Sequence, residues 1–123
     1  MFGDTPLHRA AKNGHTEIAR IFMDTIAESD NNPPNCDGIT PLHNAARNGH
    51  WKTVQMFVEN IKYLSPRTDS GDTPLHLAAK NGHLKVSLNF LRKHIGAKFH
   101  NLSKNHILKI SIFTKFTFFK FIF

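Results

Sequence analysis

With 123 residues and a formal net charge of +7, the chain has the size of one ordinary domain. Its single cysteine, Cys36, excludes an internal disulfide framework. The N-terminus lacks the apolar core of a signal peptide, and no stretch reaches the roughly 18 apolar residues of a membrane helix. We therefore expect a cytoplasmic protein, with the nucleus as the other compartment that these features allow.

The positive charge is concentrated in the second half of the chain. Residues 1–72 hold seven basic and nine acidic side chains, whereas residues 73–123 hold nine basic and no acidic ones. Such asymmetry can mark an arm that binds nucleic acid or a membrane. However, five of the nine are lysines scattered singly over residues 98–120, and no nucleic-acid-reading motif accompanies them. The pattern therefore argues against both kinds of partner.

In chain order, the first recognisable element is the block GDTPLHRAAKNGH at residues 3–15, and it occurs twice more. Residues 38–50 read GITPLHNAARNGH and residues 71–83 read GDTPLHLAAKNGH, at offsets of 35 and 33 residues. Ten of the thirteen positions carry the same residue in all three blocks, which identifies an internal repeat.

Each block predicts a short helix that starts at its Thr-Pro pair. The Thr hydroxyl suits an N-cap, and Pro suits the first helical position, where its missing N–H costs nothing. One Leu and two Ala residues form an i, i+3, i+4 apolar face, and a Gly ends the helix. The predicted caps are Thr5, Thr40 and Thr73, and the predicted ends are Gly14, Gly49 and Gly82.

A second helix is predicted after each block, because apolar residues recur there at helical spacing. Its stripe comprises Phe22, Phe57 and Phe90, then Met23, Val58 and Leu91, and, one turn earlier, Ile18, Val54 and Val86. Pro and Gly within residues 28–39 and 62–72 favour loops between the repeats.

This pattern resembles the ankyrin repeat, which has a period of about 33 residues and a T-P-L-H-x-A signature. The resemblance implies an all-α fold, a solenoid of three stacked helix–turn–helix units with loop or hairpin fingers. We expect an ankyrin-repeat domain at 1–101, with repeats at about 3–37, 38–70 and 71–101, followed by a non-repeat tail at 102–123. About three repeats are the minimum for a stable stack.

The resemblance further implies a protein–protein interaction module that uses its loop fingers and concave helix face. Stacking should align Lys12, Arg47 and Lys80 in a basic row suited to an acidic partner segment, although the same row would also suit the helix dipoles. The expected partner-binding residues are Arg9, Lys12, Asn13, Asp37, Ile39, Asn44, Arg47, Asn48, Asp69, Ser70, Asp72, Lys80 and Asn81, and Cys36 and Leu77 belong to the same surface.

No constellation of residues indicates catalysis or metal binding. GxSxG, GxxxxGK[ST] and HExxH motifs are absent, and Asp37 beside Cys36 disfavours a thiolate. The resemblance implies hydrogen bonds within and between repeats for His8, His15, His43, His50, His76 and His83. We therefore expect no enzymatic activity, cofactor, metal or small-molecule substrate.

Both ends of the chain suggest a fragment of a longer repeat array. The first repeat starts almost at Met1, and residues 102–123 match no repeat and are rich in Phe and Ile. We expect this tail to carry no function and to favour aggregation. One alternative is a regulatory ankyrin fragment of a larger channel or enzyme, and another is a basic membrane-surface or nucleic-acid binder acting through the tail.

Overall fold

The computed structural model describes residues 2–26 and 31–95, and within them it contains six helices and no strand. These are α1 (Pro6–Lys12), α2 (Thr16–Thr25), α3 (Pro41–Arg47), α4 (Trp51–Asn60), α5 (Pro74–Lys80) and α6 (Leu84–Ile95). The short helices α1, α3 and α5 pack side by side in an inner row, and the longer helices α2, α4 and α6 follow the same order in an outer row. The predicted all-α stack of three helix–turn–helix units is confirmed.

Each inner helix begins at its predicted Thr-Pro pair, and a histidine completes its first turn. The Thr40 hydroxyl accepts a hydrogen bond from the His43 backbone N–H at 3.2 Å, and His43 Nδ1 accepts one from the Thr40 N–H at 3.0 Å. The same reciprocal pair forms at the start of α1 and of α5. Two N–H groups that a helix start would otherwise leave unpaired are satisfied in this way.

The other ring nitrogen of His8 and of His43 joins one repeat to the next. His8 Nε2 donates to the Ile39 carbonyl at 2.8 Å, and His43 Nε2 donates to the Asp72 carbonyl at 2.9 Å. Because Nδ1 already accepts a hydrogen bond, the ring must carry its proton on Nε2 to make this second bond. One neutral imidazole therefore caps its own helix and holds the following repeat.

A second histidine row makes the link in the opposite direction. His50 Nε2 lies 2.9 Å from the Lys12 carbonyl, and His83 Nε2 lies 2.8 Å from the Arg47 carbonyl. Both acceptors are the last residues of an inner helix, whose terminal carbonyls lack partners within the helix. The stack is therefore held by directional bonds as well as by apolar contact.

The hydrophobic core lies where the two rows of helices meet. Leu42, Ala45 and Ala46 of α3 are fully buried, as are Val54 and Phe57 of α4. The small alanines allow neighbouring inner helices to approach closely, whereas the larger residues fill the space beside the outer row. Burial is most complete in the second repeat because it has a neighbour on either side.

The outer side of α2 differs from the prediction. Ile18 is 49% exposed and Ile21 is 62% exposed, so Ile18 does not belong to the buried stripe that contains Val54. The residue at the position of Val54 is Ala19, which is fully buried and lies four residues after His15. Aligning the two helices by residue type rather than by spacing caused the error.

Ile18 instead occupies the position of Thr53, whose burial depends on the preceding repeat. Thr53 is 1% exposed, and its hydroxyl lies 2.8 Å from the Thr16 hydroxyl in α2. The described part of the chain contains no helix pair before α1, so the equivalent face of α2 stays open.

None of the described helices is both long enough and apolar enough to cross a membrane. The tail expected at 102–123 lies outside the described residues, as do residues 27–30. The proposed domain boundaries and the expectation for the tail therefore stay predictions.

Candidate partner-binding face

A groove of about 370 Å³ lies between the second and third repeats. Its walls are the loops that precede α3 and α5, and its floor is the exposed side of these two helices. The lining residues are Asp37, Ile39, Asn44, Arg47, Thr68, Asp69, Ser70, Asp72, Leu77, Lys80 and Asn81. A second groove of about 430 Å³, beside Asn60 and Tyr63, contains none of the predicted partner-binding residues.

Nine of the thirteen predicted partner-binding residues meet in the first groove, together with Leu77. The four outside it are Arg9, Lys12 and Asn13 of the first repeat, and Asn48, which follows α3. All thirteen side chains are exposed or partly exposed, as a binding role requires. Their contact with a partner stays a prediction.

The two loops that form the walls are held side by side by their backbones. The Asp69 N–H donates to the Asp37 carbonyl at 2.9 Å, and the Cys36 N–H donates to the Phe2 carbonyl at 3.2 Å in the preceding pair of loops. Since Asp37 and Asp69 use backbone atoms for this link, their carboxylates remain exposed. The loops therefore carry negative charge at one end of the groove.

Two cations lie at the other end of the groove. Arg47 and Lys80 are the last residues of α3 and α5, and both side chains are exposed. Each lies near the helix end that carries partial negative charge, so the predicted dipole role has the correct geometry. Lys12 ends α1 in the same way, so the basic row follows the three helix ends as expected.

The asparagine side chains beside this row donate hydrogen bonds to backbone carbonyls of the inner helices. Asn81 Nδ2 donates to the Leu77 carbonyl at 2.8 Å, which caps the end of its own helix. Asn48 Nδ2 instead donates to the Lys12 carbonyl at 2.9 Å and so joins two repeats. Asn13 repeats the local pattern, with a 2.9 Å bond to the Arg9 carbonyl. These three residues thus shape the helix ends whether or not a partner is bound.

The sequence prediction missed Thr68 in the wall of the groove. The Thr68 hydroxyl accepts a hydrogen bond from the Asp72 N–H at 3.1 Å, and the Thr68 N–H donates to the Asp72 carbonyl at 2.9 Å. Asn35 makes the equivalent bonds with Ile39 in the preceding loop. The signal available in the sequence was a polar residue five positions before Thr40 and five positions before Thr73.

Asp4 and Asp72 occupy equivalent positions, but their carboxylates differ in environment. Asp4 Oδ1 accepts a hydrogen bond from Asn35 Nδ2 at 2.8 Å. Desolvation acts to raise the pKa of Asp4, but this hydrogen bond and the nearby His8 leave that pKa below its usual value. Asp72 Oδ1 is buried and has no hydrogen-bond partner among the described residues. One acceptor at the acidic end of the groove is therefore unsatisfied.

Several titratable side chains of the described residues, among them Cys36, His43 and His76, lie outside the groove. No three His, Cys, Asp or Glu side chains among residues 2–26 and 31–95 lie close enough together to hold a metal ion. Cys36 is an exposed free thiol in the loop that precedes α3. Burial lowers the pKa of His43, whose two ring nitrogens both make structural hydrogen bonds. Burial likewise lowers the pKa of His76.

Trp51 marks a second surface feature that the sequence prediction missed. The ammonium nitrogens of Lys52 and Lys85 lie 5.6 and 5.0 Å from the centre of its ring, within cation–π distance. Asn89 Nδ2 also donates to the Trp51 carbonyl at 3.2 Å. The contacts of Lys85 and Asn89 connect α6 to α4, so they indicate a structural role for the exposed ring.

The comparison with protein families agrees with the architecture. A family model described as ankyrin repeats in three copies matches residues 2–63 and 26–103, which together span most of the chain. No curated protein matches the chain.

Proposed function

The chain belongs to the ankyrin-repeat family, and from this premise we propose that it binds a protein partner through its loop fingers and the exposed side of its inner helices. Ankyrin repeats generally act as protein–protein interaction modules and are typically non-catalytic. We propose that the partner-binding residues lie on this face. We also propose that the protein is cytoplasmic. Fluorescence microscopy of the tagged chain tests the location.

One observation carries the proposal. The groove between the second and third repeats gathers most of the variable, exposed positions of the two repeats into one concave site. Positions that pack the stack are nearly identical in the three blocks, whereas Asn44 and Leu77 of the groove differ at equivalent positions. A volume of about 370 Å³ accommodates a few side chains of a partner, which are the kind of anchors that dominate the energy of an interface.

The decisive experiment selects peptides from a random display library on the immobilised full chain. The selected peptides are then tested against Arg47→Glu/Lys80→Glu, which alters the groove, and against Lys52→Glu/Lys85→Glu as the matched control. Both variants reverse two exposed cations on neighbouring helices, but only the first pair lines the groove. We expect binding to weaken about tenfold with the groove variant and to be kept with the control. Selected peptides that bind both variants as they bind the parent chain would contradict the proposal.

A further inference from the structure

The distribution of charge in the groove indicates more about its occupant. Asp37 and Asp69 project from the two loops at one end, and Arg47 and Lys80 end the two helices at the other. Between them lies Leu77, which is only partly buried. The groove is thus negative at its loop end, apolar in its middle and positive at its helix end.

We propose that this groove binds an extended peptide segment of mixed charge, with a Lys or Arg at the loop end, an apolar residue over Leu77, and an Asp or Glu at the helix end. This inference rests on the proposed function and specifies the chemistry of the partner. The basic row alone would favour a uniformly acidic segment, but that segment would bring carboxylates against Asp37 and Asp69. Like charges placed together across an interface oppose binding, so a mixed segment fits both ends better.

The length of the inner helix sets the spacing of the two charges in the partner. Helix α5 runs from Pro74 to Lys80, and seven residues at about 1.5 Å per residue span roughly 10 Å. An extended chain advances about 3.3 Å per residue, so about three residues cover that distance. Because Asp37 and Asp69 precede α3 and α5, the partner should carry its cation and its anion at least about three positions apart.

Asp72 adds a third carboxylate to the loop end of the groove, beside those of Asp37 and Asp69. Asp72 Oδ1 is buried at the groove wall without a hydrogen-bond partner among the described residues. A guanidinium or ammonium group donates several hydrogen bonds and accepts none, so it complements the exposed carboxylates of Asp37 and Asp69.

The test sequences the peptides that the full chain selects from a random display library and repeats the selection on two variants. We expect the parent chain to enrich peptides with a basic and an acidic residue at least about three positions apart. Arg47→Glu/Lys80→Glu should weaken these peptides about tenfold and should remove the acidic preference while keeping the basic one. Asp37→Lys/Asp69→Lys should do the reverse.

The outcomes separate this inference from the proposed function. Enriched peptides that lose binding with Arg47→Glu/Lys80→Glu but carry only acidic residues would overturn the mixed-charge occupant and leave the interaction module intact. Peptides that bind equally to the parent chain and to both groove variants would overturn both. Circular dichroism of each variant tests whether the helices persist. If they do, lost binding can be assigned to the groove.

Discussion

The imidazole of His50 lies directly against Gly14 of the preceding repeat. A Cβ placed on Gly14 would lie 2.6 Å from His50 Nδ1, much closer than side-chain atoms approach one another. The same ring holds the Lys12 carbonyl through Nε2 at 2.9 Å. Glycine is thus required at this position for two reasons. Its backbone φ is +71°, and the His50 ring occupies the space that a side chain would need.

Gly14→Ala should therefore destabilise the stack more than backbone strain alone does. The left-handed conformation costs a non-glycine residue about 1–2 kcal/mol. Displacing the His50 ring should add about 1 kcal/mol, because its hydrogen bond to the Lys12 carbonyl would be weakened. Urea unfolding followed by circular dichroism measures the total change in the free energy of unfolding.

Gly71→Ala is the matched control for that change. Gly71 also has a positive φ, of +85°, but a Cβ there would meet nothing within 4 Å. Its loss of stability should thus reflect strain only. Equal losses for the two variants would show that the contact with His50 contributes nothing.

The loss of stability on truncating an apolar residue should depend strongly on whether that residue is buried in the stack. Leu42 is fully buried in α3, so Leu42→Ala should lower the free energy of unfolding by about 2–5 kcal/mol. Ile21 is 62% exposed on the open face of α2, so Ile21→Ala should change it by no more than about 0.5 kcal/mol. Thermal unfolding of both variants beside the parent chain makes the comparison. A large effect at Ile21 would contradict the position of α2 described above.

The stability of the stack should fall as the pH is lowered below neutrality. Burial lowers the pKa of His43 and of His76 from the ordinary value of 6.5. The unfolded chain then takes up protons at a higher pH than the folded chain does. The stabilisation is therefore complete above pH 6.5 and is lost as the pH falls from there through the lowered pKa values. The hydrogen-bond geometry predicts the same loss of stability at low pH, because a proton on His43 Nδ1 would face the N–H of Thr40.

Urea midpoints measured between about pH 7.5 and about pH 5.5 would reveal this dependence. The control is the double variant His43→Asn/His76→Asn, which should be less stable at the higher pH and should show a flatter profile. A parent chain whose midpoint stays constant over that range would contradict the role given to the two rings.

Local features of this fold could be predicted from the sequence, because each depends on a few neighbouring residues. The Thr40-Pro41 pair determines where α3 begins, and the spacing from His50 to Phe57 places a buried ring on α4. Ile18 could not be placed reliably in the same way. Whether a position one turn into an outer helix is buried depends on the repeat before it, which the periodicity does not show.

The sequence predicts most of the residues that line the candidate site, but it does not predict how positive and negative charge are distributed along it. Repeat equivalence is enough to select Asn44, Arg47 and Lys80 as exposed positions of the inner helices. It does not show that Asp37 and Asp69 gather at the opposite end of the same groove, because that depends on how adjacent loops pair. The double role of His8, within its own helix and toward Ile39, likewise depends on the distance between stacked repeats.

The last prediction separates the helix-dipole role of the basic row from a simple effect of net charge. Arg47→Glu/Lys80→Glu and Lys52→Glu/Lys85→Glu change the net charge of the chain by the same amount. Arg47 and Lys80 end their helices, so reversing them should cost about 1–2 kcal/mol of stability in total. Lys52 and Lys85 are the second residues of α4 and α6, where an acidic residue favours the dipole.

That gain at the helix starts should offset the loss of the two cation–π contacts with Trp51, which contribute about 0.5–1 kcal/mol each at an exposed site. The free energy of unfolding from urea titration should therefore fall with the first pair and stay nearly unchanged with the second. Equal changes with both pairs would mean that net charge, rather than position along the helix, sets the effect. A loss of 1–2 kcal/mol is small beside the roughly 5–15 kcal/mol of a typical domain, so the first variant should remain folded for the peptide-binding test.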